Sequence, residues 1–313
     1  MMRPARKLVV GLLAILIVLV IVYMATNNKQ ETKVLDDVAR NSAPGQFVTL
    51  SDGVTHYQLF GPDTGKQILL IHGGGIAGFE VWNQTIPFLV SKGYRVLTYD
   101  LYGRGYSDRP NIEYTPELLA RQASELTAEL HFTKELSIIS MSMGSMVALD
   151  YRAEHSDQVK DLVMISPSAA GTYKSSKLLK IPVVSSLLMT FYWYPRAVEN
   201  QRKEFVDQAL FDQYAKRLEY FMNFEGYKHV NYSTWMHTLN QSKLEMFKEV
   251  PPNRILIIHG EKDPYFPAGS ISVYSGVYPT VKDTTIANAG HMAHFERPAE
   301  TNPVIFDFLN TLR

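Results

Sequence analysis

ISMSMGSM, from Ile139 to Met146, sets three serines among methionines where a continuous apolar run gives way to helical spacing. If the chain turns sharply from strand into helix at Ser142, that serine takes a strained backbone conformation. The residues two before and two after it must then be small so that the backbones can pass. Ser140 and Gly144 meet that condition. Serine at the first of these positions departs from the usual glycine but is still small. Ser140 itself falls within the strand run, and Ser145 lacks the glycine pattern around it. A small-x-Ser-x-small pattern is common by chance, so the reading of these eight residues depends on what the rest of the chain supplies.

The chain has 313 residues, 46% of them hydrophobic, enough for one large domain or a domain with an insertion. Lys plus Arg and Asp plus Glu number 31 each, and there is no long basic run, which argues against a nucleic-acid footprint. With no cysteine, disulfides, thiolate catalysis and Cys-ligated metals are excluded. At the N-terminus Arg3, Arg6 and Lys7 precede an uncharged apolar run, Leu8 to Ala25. As a helix it would span roughly 27 Å, close to the hydrocarbon thickness of a bilayer. Its length, and Tyr23 and Met24 where a small-x-small cleavage site would stand, favour a retained signal anchor over a cleaved secretory signal. The preceding basic residues favour a cytoplasmic N-terminus and a domain outside the cytoplasm; a secreted product is the alternative. Residues 1–25 thus read as an anchor and 26–46 as a polar linker.

Short apolar runs follow at Phe47 to Leu50, Val54 to Phe60, Ile68 to Ile71, Val96 to Tyr99, Leu136 to Ser140, Leu162 to Ile165 and Ile255 to His259. Most are continuous rather than alternating, as in strands buried on both faces of a largely parallel sheet. Helical patterns at Thr115 to His131 and Gly144 to His155 lie between them, so the class is α/β. From Pro167 to Glu249 there is no convincing strand, and aromatic residues recur at helical spacing. The core is therefore expected over 47–166 and 250–313, with a helical cap over 167–249.

Four more segments occur in a telling order. HGGG, His72 to Gly75, follows the strand ILLIH; YDLYGRGYSDRP runs from Tyr99 to Pro110; HGEKDPYFP from His259 to Pro267; and AGHMAHFERP from Ala289 to Pro298. Together with Ser142 they resemble the α/β-hydrolase superfamily in its serine-nucleophile branch, over essentially all of Phe47 to Arg313. The resemblance implies an α/β-hydrolase fold with Ser142 as nucleophile, Asp263 as triad acid and His291 as base. It also implies an oxyanion hole from the backbone N–H of Met143 and of Gly74 or Gly75. Asp100 and Asp108 would brace the loops beneath the site, and His294 would be a helical neighbour rather than the base.

A serine hydroxyl needs an imidazole to take its proton, and the imidazole needs a carboxylate to fix its tautomer and stabilise its cation. Relatives resembling this chain around Asp100 but using an aspartate nucleophile pass through an alkyl ester, and a serine there would leave a stable ether. Ser142 therefore points to acyl transfer, and the expectation is a carboxylic ester hydrolase, with lipidic esters among its substrates and the membrane as a partner through the N-terminal helix. No metal or organic cofactor is required by this chemistry, and no metal-ligand spacing stands out. Two alternatives stay open. One is a carbon–carbon bond hydrolase acting on vinylogous diketones, whose oxyanion loop also begins HGGG. Such loops continue with proline and glycine where this chain has Ile76, Ala77 and Gly78, and a prolyl aminopeptidase fails on the same missing proline. The other is a binding protein on a hydrolase fold, although such proteins typically lose a triad member.

Overall fold

The computed structural model describes residues 4–76, 78–132, 135–171, 173–267 and 269–311, with the side chains of residues 4, 5, 7 and 311 outside that description. Arg3, Ala77 and Arg313, used in the sequence reading, lie outside the described residues. Eight strands form one sheet: β1 (Gln46–Leu50), β2 (Gly53–Phe60), β3 (Lys66–Ile71), β4 (Tyr94–Tyr99), β5 (Leu136–Met141), β6 (Val159–Ile165), β7 (Ile255–Gly260) and β8 (Lys282–Ile286). Their order is β1-β2-β4-β3-β5-β6-β7-β8. The β1–β2 and β2–β4 pairs are antiparallel, and every pair from β4–β3 to β7–β8 is parallel. This is the α/β-hydrolase arrangement, a mostly parallel sheet flanked by helices.

The continuous apolar runs are explained by the pleat, because successive side chains feed opposite faces and both faces are covered. Leu69 and Ile71 of β3 join a core with Leu118, Leu126 and Val147, from helices Pro116–Glu129 and Gly144–Glu154. Ile68 and Leu70 join the opposite core with Ile86, Leu89, Ile305 and Phe308, from helices Thr85–Ser91 and Pro298–Thr311. Strand β8 escaped the sequence reading. Its residues KDTTI sit at the edge of the sheet and only Ile286 is buried, so no apolar run marks it. A charged, short edge strand also discourages pairing with another chain.

Between β6 and β7 the chain forms the cap. Its helices include Pro182–Leu187, Ala197–Arg202, Gln208–Met222 and Tyr227–His237, joined through a wide helical turn at Leu188–Trp193. Asp207 starts the third of these, its carboxylate accepting from the N–H groups of Ala209 and Leu210. Phe211, Leu218 and Phe221 are buried in the same core as the sheet, so much of the aromatic content of the cap is packing.

The N-terminal helix α1 runs from Pro4 to Asn27, and residues 8–27 within it are long and apolar enough to cross a membrane, with none of the span buried. The segment read as a linker lies along the cap. Lys33 N–H donates to Asn223 O at 2.8 Å and Glu225 N–H to Lys33 O at 2.9 Å, and Lys228 Nζ donates to Asn27 and Gln30. The side chains of Asn27, Gln30 and Glu31 in that segment are engaged by cap residues, partners that its own composition does not reveal.

Candidate active site

Strand β5 ends at Met141, Ser142 turns with a φ of +52°, and the next helix begins at Gly144. A positive φ at a non-glycine residue is costly and is held here by bonds on both sides. Ser142 N–H donates to Ile165 O at 2.8 Å, and Ser142 O accepts from Ser145 N–H at 3.0 Å and from the Ser145 hydroxyl at 2.6 Å. A Cβ on Gly144 would stand 2.6 Å from the carbonyl oxygens of Ile71 and His72, so the turn requires glycine there. Ser140 is buried and donates to Val163 O at 3.2 Å. Its hydroxyl is absorbed by the neighbouring strand, and serine is accommodated where glycine is usual.

Asp263 follows β7, and its carboxylate accepts from the N–H groups of Tyr265 at 2.8 Å and Phe266 at 3.1 Å. His291 follows β8 and has its own N–H tied to Glu204 O at 2.7 Å. With its proton on Nδ1, His291 donates to Asp263 at 2.9 Å, and its Nε2 accepts from Ser142 Oγ, also at 2.9 Å. The three residues come from three separate loops at the carboxyl ends of parallel strands and are brought into one hydrogen-bonded chain. Burial alone would lower the His291 pKa, but the charge and hydrogen bond of Asp263, with the charge of Glu204 behind it, hold it above the ordinary 6.5. Burial would raise Asp263; the adjacent His291 instead keeps it below the usual carboxylate range.

The HGGG loop lines the same cavity as Ser142. Among the described residues, the N–H groups of Gly74, Gly75 and Met143 have no hydrogen-bond partner. They are available to a developing oxyanion. His72 is not a base for this site. It donates from Nδ1 to Gly73 O and accepts at Nε2 from Leu101 N–H, and burial holds its pKa down at about 4. His294 is fully buried against Trp82, with ring centroids 4.2 Å apart, and burial lowers it to about 3. Asp100 binds His56, Gly78 N–H and Tyr106 N–H, while Asp108 binds Val54 N–H and Arg40. Both tie loops together, and neither lines the cavity.

The cavity, about 640 Å³, lies between the sheet and the cap, with Trp193, Trp235 and Leu239 among its apolar walls. Two charged groups in the wall were not identified from the sequence. Glu204, on the cap, has its pKa raised to about 7, chiefly by burial. No motif surrounds it. Arg104 is only 3% exposed and lines the cavity. Its Nη2 makes long contacts of 3.4 Å to Asn231 and 3.3 Å to Thr234, and its Nε has no partner. No carboxylate pairs with it among the described residues, and Nη2 lies 4.0 Å from where a Cβ on Gly74 would stand. Its signal was present in GRG, inside a segment read as structural bracing.

Residues 67–298 match the family model described as alpha/beta hydrolase fold. A 2-hydroxy-6-oxo-6-(2'-aminophenyl)hexa-2,4-dienoic acid hydrolase of Metapseudomonas resinovorans is 25% identical over 272 residues, covering 85% of this chain and 90% of that protein. A 2-hydroxy-6-oxononadienedioate/2-hydroxy-6-oxononatrienedioate hydrolase of Cupriavidus pinatubonensis is 26% identical, covering 84% of this chain and 94% of that protein. Among solved structures, a meta-cleavage product hydrolase from Pseudomonas fluorescens IP01 superposes with a TM-score of 0.70 at 23% identity, covering 86% of this chain and 98% of that one.

Proposed function

The chain belongs to the alpha/beta hydrolase fold family, and from that premise we propose that it is a serine hydrolase cleaving the carbon–carbon bond beside a ketone in a carboxylate-bearing substrate. The observation that carries this reading is Arg104, a buried guanidinium without a carboxylate partner, facing the cavity beside the HGGG loop. A buried cation left unpaired is costly, and an anionic group on the substrate would relieve it. The two relatives above carry an acid group and a 6-oxo group in the substrates of their names.

In this mechanism Ser142 Oγ adds to the ketone carbon as its proton passes to His291 Nε2, and Asp263 stabilises the imidazolium. The N–H groups of Met143 and of Gly74 or Gly75 hold the oxyanion. When the tetrahedral centre collapses, the carbon–carbon bond breaks. For a 2-hydroxy-6-oxo-dienoate the dienol has first ketonised, its hydroxyl proton moving to the carbon beside the 6-oxo group. The electron pair of the broken bond therefore passes through the enone to the 2-oxo oxygen next to the carboxylate held by Arg104, and the dienolate so formed takes the proton from His291. Water, deprotonated by His291, then releases the acyl group from Ser142 as a carboxylic acid. A carboxylic ester, the first expectation from Ser142, is the second reading. The apolar walls at Trp193, Trp235 and Leu239 favour it, and it uses the same three residues.

The test compares turnover of a 2-hydroxy-6-oxo-dienoate with that of its carboxyl methyl ester. The free acid is expected to be preferred by about 100-fold, the worth of a buried charge-assisted hydrogen bond. Arg104→Met should abolish that preference and Arg104→Lys restore part of it. Equal turnover of acid and ester, or a preference unchanged in folded Arg104→Met, would defeat the reading.

The same proposal includes a location. Helix α1 is read as a retained membrane span with the hydrolase domain outside the cytoplasm. A signal sequence passes the same test of length and hydropathy. In support of retention, the end of α1 is engaged by the cap, with the Tyr23 hydroxyl bonded to Ser186, a contact that cleavage near Ala25 would remove.

A further inference from the structure

We infer that the cap segment from Lys174 to Tyr192 is a second membrane-contact surface, seated in the headgroup layer of the leaflet from which α1 emerges. This rests on reading α1 as a membrane span. The argument begins with depth. The span candidate ends at Asn27, and Tyr23 lies four residues before that end, about 6 Å deeper along the helix. The Tyr23 hydroxyl is 2.6 Å from Ser186 Oγ, and the Tyr23 ring meets Phe191 edge-on at 6.0 Å. Gln30 and Asn27 fix the same stretch through Thr190. Cap residues 186–191 are therefore held level with the last turn of the span. If α1 crosses the bilayer, these residues enter the interface with it.

The surface they present suits that place. Leu178, Ile181, Val183, Leu187, Phe191 and Tyr192 are all exposed, Val183 by 70%. An apolar cluster of this kind on one short segment is unusual on a protein surface facing water. Lys174, Lys177 and Lys180 are interspersed at the start of the segment, exposed and without an ion pair among the described residues. Apolar side chains beside unpaired lysines match an anionic leaflet, with insertion of roughly 5 to 10 Å expected for such segments. Tyr173 and Trp193, which bracket the segment, line the cavity above Ser142. The seated face thus adjoins the substrate chamber, so amphiphilic substrates can pass from the leaflet to the cavity along it.

The chain has no cysteine, so one introduced thiol carries the only label. The full chain is reconstituted in vesicles of equal parts phosphatidylcholine and phosphatidylglycerol, with an environment-sensitive fluorophore at Val183→Cys, Ile15→Cys or Asp63→Cys in separate preparations. Ile15 lies in α1, and Asp63 lies in the exposed turn between β2 and β3. The Val183 label should be quenched several-fold more by nitroxide lipids than the Asp63 label, and be shielded from aqueous iodide. Lys177→Glu with Lys180→Glu should weaken that quenching. If the Val183 label is as open to iodide as that at Asp63 while the Ile15 label is in lipid, the inference fails and the anchor stands. If the Ile15 label is also in water, the anchor reading fails and the inference with it. Shielding without lipid quenching, growing with protein density, would overturn it in favour of contact between copies of the chain.

Discussion

On the sheet side of the cavity, the polar side-chain atoms of Ser142, His291 and Asp263 are all hydrogen-bonded, whereas on the wall facing the cap Arg104 keeps Nε unbonded and reaches Asn231 and Thr234 only at long range. Both groups of residues are buried, so the difference lies in what completes them. The first is finished by the protein itself, as a group that must hold one geometry through a proton transfer needs to be. The second lacks a counter-charge, and a substrate can supply it. On the proposed function, one wall carries the chemistry and the other the selectivity, and substitutions should separate the two.

The largest effect is expected at the completed wall. Ser142→Ala should lower turnover of both acid and ester substrates by ~10⁴-fold or more, because the remaining groups retain only oxyanion and binding contributions. Steady-state kinetics on both substrates check this, and a loss confined to one substrate would break the division. Next comes Arg104→Met. It should raise KM for the carboxylate substrate by about 100-fold and leave ester kcat within a few-fold, since that charge contacts only the anionic group.

A pH profile sharpens the comparison further. His291 must be neutral to accept a proton, and its pKa is held above 6.5, so kcat/KM should rise with pH along a limb above that value. Asp263, held low, stays ionised throughout this range. Glu204 carries charge toward His291, so Glu204→Gln should move the limb to lower pH, and an unmoved limb would detach Glu204 from the site. The smallest effect is expected for Ser140→Gly. Loss of the bond to Val163 and greater chain freedom should cost about 1 kcal/mol of stability in a denaturant titration, with turnover unchanged.

The parts legible in the sequence are those whose function is set by local backbone geometry. The strands buried on both faces read as continuous apolar runs, and Ser142, His72 to Gly75, Asp263 and His291 sit in turns whose neighbours are constrained in type and order. Edge strand β8 had no such signature, because one buried residue cannot display a period. Arg104 was visible but read as part of a brace, since its isolation emerges only when Asn231 and Thr234 arrive from 127 and 130 residues away. Glu204 acquires its character from the packing of the cap on His291. The preference for an ester over a carbon–carbon bond turned on the residues after HGGG, but the relatives found point to the carbon–carbon alternative, in agreement with the unpaired charge in the wall.

The central claim is that Ser142 is an activated nucleophile driven by His291 and Asp263. The most direct measurement is to treat the full chain with a fluorophosphonate and locate the modified residue by peptide mass, alongside a His291→Ala variant of matched thermal stability. The account predicts a single modification at Ser142 that the variant lacks. A folded protein left unlabelled, or labelled equally with and without His291, would contradict it.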